Sequence, residues 1–264
     1  MTIDISASFA FTLDQPTDVL LQFEAAMIPE QHLTNVITEM SLAEHIARVP
    51  AQDGIGDRIW VRAEGRFEVV YRAKAEIKRK LPDIAALAQI DPHDLPGETV
   101  KYLFDSRYCL TDKFQTFAHD EFRDLTGGMR IAAMRDWIEG HFTYETGSSD
   151  ANTTALDSFV ERRGICRDYA HVMITLARAA AIPARYVSCY DPGVTPQDFH
   201  AVAEVFLADP DGEGGTWHLI DATGMASRAE TVKIGVGRDA ADVSFLTSFG
   251  SSGFEYSSVE AKRS

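Results

Sequence analysis

Cysteine is scarce. There are three, Cys109, Cys166 and Cys189, widely spaced and with no Cys-x-x-Cys pair. An odd, scattered set argues against a disulfide framework and points to a reducing compartment, the cytoplasm. Positive charge is also in short supply: 25 Lys and Arg stand against 40 Asp and Glu, a formal net charge of −15. That balance speaks against a nucleic-acid partner and otherwise serves solubility. No apolar run is long enough to span a bilayer, so no membrane partner is expected. The opening MTIDISASFAFTLDQP has neither a basic start nor an unbroken apolar core, so no signal peptide is expected. HExxH and P-loop lysine motifs are missing, and neither a metal nor another cofactor is implied. GVGRDA, residues 235–240, imitates a glycine-rich nucleotide loop but has no βαβ unit after it, and reads as a turn between strands. DPDGEG, residues 209–214, has acid and glycine but lacks the rest of a calcium loop.

What is present is an ordinary globular composition, 45% hydrophobic and 25% charged. The length suits one large domain or two modest ones, and leans to two. Ile3, Ile5, Ala7, Phe9 and Phe11 alternate with polar residues, which predicts a half-buried strand. DVLLQFEAAMI, residues 18–28, predicts a second, with Val19, Leu21, Phe23, Ala25 and Met27 on one face. Residues 58–77 predict a hairpin turning near Glu64 and Gly65. An antiparallel sheet with one wet face accounts for the pattern. His32 and His45 stand alone there and are read as surface or structural residues. LPDIAALAQIDPHDLPGE, residues 81–98, carries three prolines and marks the boundary. The division is a β domain over 1–80, a linker over 81–100 and a second domain over 101–264.

Beyond the boundary the period changes. Ile131, Met134, Trp137 and Ile138 predict a helix over about 128–142, and Thr154 with Asp157 predicts a capping box opening a short helix. After Gly164, CRDYAHVMITLARAAAIP reads as a helix starting at or just before Cys166 and stopped by Pro183. A thiol at that position meets unpaired backbone N–H groups and the positive end of the helix dipole, which favour thiolate over thiol. Three strands follow: ARYVSCY, then FHAVAEVFL with His200 at its start, then TWHLIDAT with Asp221 near its end. Two strands joined by a Gly-rich turn are antiparallel neighbours, so His200 and Asp221 meet in space. A nucleophile, a base and an orienting carboxylate are the parts that thiol catalysis needs.

RRGICRDYAHVMITLARAAAIPARYVSCY, DFHAVAEVFL and WHLIDATGMA together resemble the bacterial transglutaminase-like superfamily, its cysteine-protease-like group. The resemblance runs from about Tyr102 to the C-terminus. It implies an α+β fold: an N-terminal antiparallel β domain, then a papain-like core in which a Cys-bearing helix packs on an antiparallel sheet. It also implies Cys166 as nucleophile, His200 as general base and acid, and Asp221 as orienting carboxylate. Tyr108, in SRYC, is the side chain it suggests for the oxyanion, beside the Cys166 N–H. The implied activity is a thiol hydrolase of amide or peptide bonds working through a thioester, on a peptide or protein substrate. Acyl transfer to an amine shares the first half-reaction and stays open, as does a non-catalytic protein-binding scaffold; oligomeric state is equally open. Asp168 is expected to serve the helix dipole, His171 to be structural, His218 to be a packing or surface residue, and Glu204 to be solvated.

Overall fold

The structure, a computed structural model, describes residues 1–212 and 214–264. In chain order its strands and helices are β1 (Thr2–Leu21), β2 (Gln31–Met40), β3 (His45–Pro50), β4 (Asp57–Ile77), α1 (Gly97–Val100), α2 (Gln115–Phe122), α3 (Gly127–His141), β5 (Thr143–Tyr144), α4 (Ala155–Glu161), β6 (Arg163–Gly164), α5 (Cys166–Ala179), β7 (Ala184–Tyr190), β8 (His200–Ala208), β9 (Gly215–Ile220), β10 (Val232–Gly237), β11 (Leu246–Ser248) and β12 (Ser252–Arg263). This is the α+β class expected, with antiparallel sheets throughout the two main layers.

The first sheet is built around two long strands. β1 buries Ile3, Ile5, Ala7, Phe9, Phe11 and Leu13 on one face. The segment expected as a second strand is in its first residues the end of β1: Val19 and Leu21 are buried there, Gln22–Ile28 leave the strand, and Met27 is exposed. The expected hairpin over 58–77 is likewise one continuous strand, β4. Ile59, Val61, Ala63, Phe67, Val69, Tyr71, Ala73 and Ala75 are all buried, and their parity never changes, as a single strand requires. Gly65, at φ +76°, bends the strand rather than reversing it. Opposite it β1 bulges, with Leu13 facing Gly65 but Thr17 facing Ala63. β2 and β3, which carry the exposed His32 and His45, both pair with β4.

The second sheet runs β10-β7-β8-β9, with α5 against it. The apolar side of α5 joins α3 and the inner faces of β7 and β8 in one core that includes Ile131, Met134, Met173, Ile174, Ala203 and Val205.

The sheets do not follow the expected division at 80 and 100. β11 and β12 return to pair with β1, Val19 facing Ser248 and Ile3 facing Arg263, so the end of the chain completes the first sheet. Residues expected as a linker are packed: Ile84 and Leu87 are buried, and the Leu87 carbonyl accepts the Gly128 N–H at 2.8 Å. A Cβ on Gly128 would stand 1.6 Å from the Ile84 carbonyl oxygen, so only glycine lets α3 approach this closely. The two sheets meet along β10, where Ala26 N–H donates to Lys233 O at 2.8 Å.

Candidate active site

Cys166 is the first residue of α5. The chain arrives from α4, opened by Thr154 and Asp157 in the expected reciprocal cap and closed by Arg162 in the left-handed region. Gly164 then pairs with Tyr144 in a short parallel bridge. Asp168, three residues after the N-cap Ile165, is buried and turns its carboxylate back to accept the Ile165 N–H at 2.8 Å. It also pairs with Arg167 at 3.1 Å. Its place is therefore the helix terminus, where a carboxylate suits the dipole. Gly164 makes room for it, since a Cβ there would lie 2.6 Å from the Asp168 Cβ. The Cys166 and Arg167 amides, at the first two helical positions, have no intrahelical acceptor. Cys166 is partly exposed, whereas Cys109 and Cys189 are fully buried. Burial pushes the Cys109 thiol up to about 11 and raises that of Cys189 well above its ordinary value.

His200 opens β8, opposite Cys189 on β7. Its Nε2 lies 3.2 Å from Asp221 Oδ2, just beyond the end of β9. Asp221 is held in turn: Oδ2 accepts the Ala226 N–H at 2.6 Å, and Oδ1 accepts the Thr223 N–H at 2.8 Å. The His200 Nδ1 is buried and has no hydrogen-bond partner among the described residues, which leaves that nitrogen for the sulfur. Burial alone would lower the His200 pKa, but the Asp221 hydrogen bond and the adjacent Cys166 sulfur overcome it and raise the ring to about 10. Asp221, against the same burial, is held below the usual carboxylate range by His200 and the two backbone donors.

Tyr108 does not present its hydroxyl to the sulfur. The O–H donates to Ala151 O at 2.8 Å, and the ring stacks on His171 with centroids 5.0 Å apart. A hydroxyl has one proton, and here it is committed. The residue that sequence reasoning missed is Tyr144, whose phenol lies beside both the thiol and the amide of Cys166. Burial and then the Cys166 sulfur push it up to about 12, so it stays protonated and able to donate. Its only mark in the sequence is an aromatic after α3, too common to read.

His171 is fully buried in α5 and neutral, burial holding it well below its ordinary value, and its Nε2 accepts the Ala240 N–H at 3.2 Å. His218 is buried on β9, and burial lowers it too. Glu204 corrects an expectation: far from solvated, it is 0% exposed. It pairs with Arg185 at 2.7 Å and with Lys233, which also meets Glu30, in the turn before β2, at 2.5 Å. Parity had placed Glu204 on the His200 face but said nothing about depth. GVGRDA forms the end of β10 and the turn after it, where Asp239 accepts the Tyr108 N–H at 2.9 Å. Asp91, His93 and Asp94 bring ligand-type atoms within 4.8 Å of one another, all on exposed side chains.

Cys166 and His200 share a cleft of about 600 Å³. Arg107, Tyr108 and Arg167 line one part of it, and Phe199, Phe245 and Phe254 another.

A family model, described as transglutaminase-like superfamily, matches residues 119–222, which hold Cys166, His200 and Asp221. A crystal structure from Cytophaga hutchinsonii, described as "a Putative Cysteine Protease", superposes with a TM-score of 0.90 at 30% identity, covering 99% of this chain and 90% of that one. On that likeness the chain belongs to the transglutaminase-like superfamily. Uncharacterized proteins of Mycobacterium leprae and Mycobacterium tuberculosis are 29% and 31% identical over 121 and 147 residues, which are 44% and 51% of this chain. The matches span 42% and 46% of those curated relatives, less than half their length.

Proposed function

We propose that the protein is a thiol hydrolase of amide or peptide bonds, acting on a peptide or protein through a Cys166–His200–Asp221 triad. The observation that carries the reading is the state of His200. It is buried, bound through Nε2 to Asp221 at 3.2 Å, free at Nδ1, and more basic than an exposed histidine despite its burial. A buried imidazole gains basicity only where negative groups face it. In this reading Cys166 and His200 rest as a thiolate–imidazolium pair. The sulfur attacks the amide carbonyl carbon, and the oxyanion takes hydrogen bonds from the Cys166 N–H and the Tyr144 hydroxyl. His200 gives its Nδ1 proton to the departing amine, and the C–N bond breaks to leave a thioester. The neutral ring then takes a proton from water as the oxygen attacks the thioester, and collapse releases the acid and restores the pair. Asp221 keeps the ring in one orientation and one tautomer throughout.

Partial exposure of Cys166 in an open cleft favours water as the second acceptor. The Cytophaga relative, described as "a Putative Cysteine Protease", is in line with that choice. The test is a peptide library incubated with the wild type and with Cys166→Ala, in the presence of a primary amine. New termini that depend on Cys166 support hydrolysis. Amine incorporation without cleavage assigns acyl transfer instead, and neither product from the wild type overturns the catalytic reading.

A further inference from the structure

The wall of the cleft is built partly by the sheet that the sequence set apart as a separate domain. Phe254 lies on β12, the last strand, and Phe245 on the approach to β11, yet both line the cleft that holds Cys166 and His200. The rings form a ladder: Phe254 meets Phe245 edge-on at 5.9 Å, and Phe245 stacks on Phe199 at 4.8 Å. Phe199 directly precedes His200, and is anchored by Tyr190 at 5.5 Å. The ladder therefore runs from the buried core of the first sheet to the base itself. At its outer end Phe254 is 53% exposed, whereas Val259 and Ala261 further along β12 are buried at 6% and 4%. A phenyl ring left half in water, continuous with a packed aromatic ladder and lining the same cleft as Cys166 and His200, is an apolar surface suited to receive an apolar group.

We infer that Phe254 and Phe245 form the subsite that selects substrate, taking a large apolar side chain of an extended peptide near the bond to be broken. The inference rests on the reading of Cys166 and His200 as the reacting groups. It also gives the first sheet a part in recognition: pairing of β12 with β1 fixes the position of Phe254. Filling such a wall with a benzyl-sized group is worth about tenfold or more in selectivity.

The test separates recognition from chemistry. Fluorescein-labelled Gly/Ser peptides, with a single Phe, Asp or Lys walked through them, are titrated into the inert Cys166→Ala protein and into Cys166→Ala carrying Phe254→Ser. At one position the Phe peptide is expected to bind about tenfold more tightly than its all-Gly/Ser parent. That preference should fall to about twofold or less in Phe254→Ser and return in Phe254→Leu. Because Phe254 is half exposed, its replacement leaves the fold standing, which circular dichroism checks. Equal binding of all peptides, no binding of any, or a Phe preference that survives Phe254→Ser overturns the inference. Wild-type protein that binds the Phe peptide through Phe254 but never cleaves it leaves the subsite intact and removes the hydrolase reading. Cleavage without side-chain preference does the reverse.

Discussion

Replacing Glu204 by glutamine removes the negative centre of a buried charge cluster while keeping its shape. Glu204 stands at 0% exposure between Arg185 and Lys233, and Lys233 reaches on to Glu30 while Arg185 reaches Asp53 at 3.1 Å. Glu30 and Asp53 come from the first-sheet half of the chain, and Arg185, Glu204 and Lys233 from the second sheet, so the cluster clasps the two together. Burial opposes the charge on Glu204, yet Lys233 and Arg185 overcome it and bring the carboxyl from an ordinary 4.5 to about 2. A folded-state value below the unfolded one stabilises the fold above pH 4.5, and that stabilisation drains away as the pH falls toward 2. At roughly 1.4 kcal/mol per pH unit the displacement is worth about 3 kcal/mol at pH 7 and only about 1 kcal/mol at pH 3. Breaking a buried pair from one side independently costs about 3–5 kcal/mol. Urea unfolding of wild type and Glu204→Gln at the two pH values reads the difference. The variant should be less stable by about 3 kcal/mol at pH 7, with the gap closing by more than half at pH 3. A gap that is the same at both values, or a variant as stable as wild type at pH 7, refutes the argument that the cluster holds Glu204 ionised.

Tyr144→Phe removes one proposed oxyanion donor while keeping the ring in place. It should lower kcat by about 10²–10³ with little change in KM, and steady-state kinetics on any cleaved peptide checks it. Equal losses from Tyr108→Phe would contradict the assignment, because that hydroxyl is bound to Ala151 O. Gly164→Ala puts a methyl 2.6 Å from the Asp168 Cβ and displaces the carboxylate that caps α5. Alkylation of Cys166 should slow at temperatures where the thermal unfolding curve shows the variant still folded; an unchanged labelling rate would contradict it.

The head of α5 could be read in the sequence because its determinants are local. A glycine, a cysteine and a carboxylate two residues on lie within a single turn, and Thr154 with Asp157 announces the helix before it. The order of β7, β8 and β9 followed from turn length and alternation, which is enough to bring His200 to Asp221. Long-range pairing was illegible. Ile3 faces Arg263, and nothing near either residue records the other. β2 passed unread because it is exposed over most of its length and lacks a buried stripe. β4 was misread at Gly65, although the constant parity from Ile59 to Ala75 already pointed to one strand. Glu204 shows the limit of parity itself: alternation gives a face, and only the packed second layer gives the depth. Tyr144 reaches Cys166 through a two-residue bridge to Gly164, too short to leave a pattern.

The central claim is that one sulfur is held reactive by one imidazole. Its most direct test is the rate of Cys166 alkylation by iodoacetamide as a function of pH, in wild type and in His200→Ala. His200 raised from 6.5 to about 10 keeps its proton, and with it the pair, across that interval. Labelling should be fast, confined to Cys166 and sustained with rising pH up to about 9, below the His200 value of about 10, with Cys109 and Cys189 silent in the folded protein. In His200→Ala the rate should fall and climb with pH like that of an ordinary thiol, near 8.5. A wild-type profile that already climbs in that ordinary way, unchanged by the loss of His200, would contradict it.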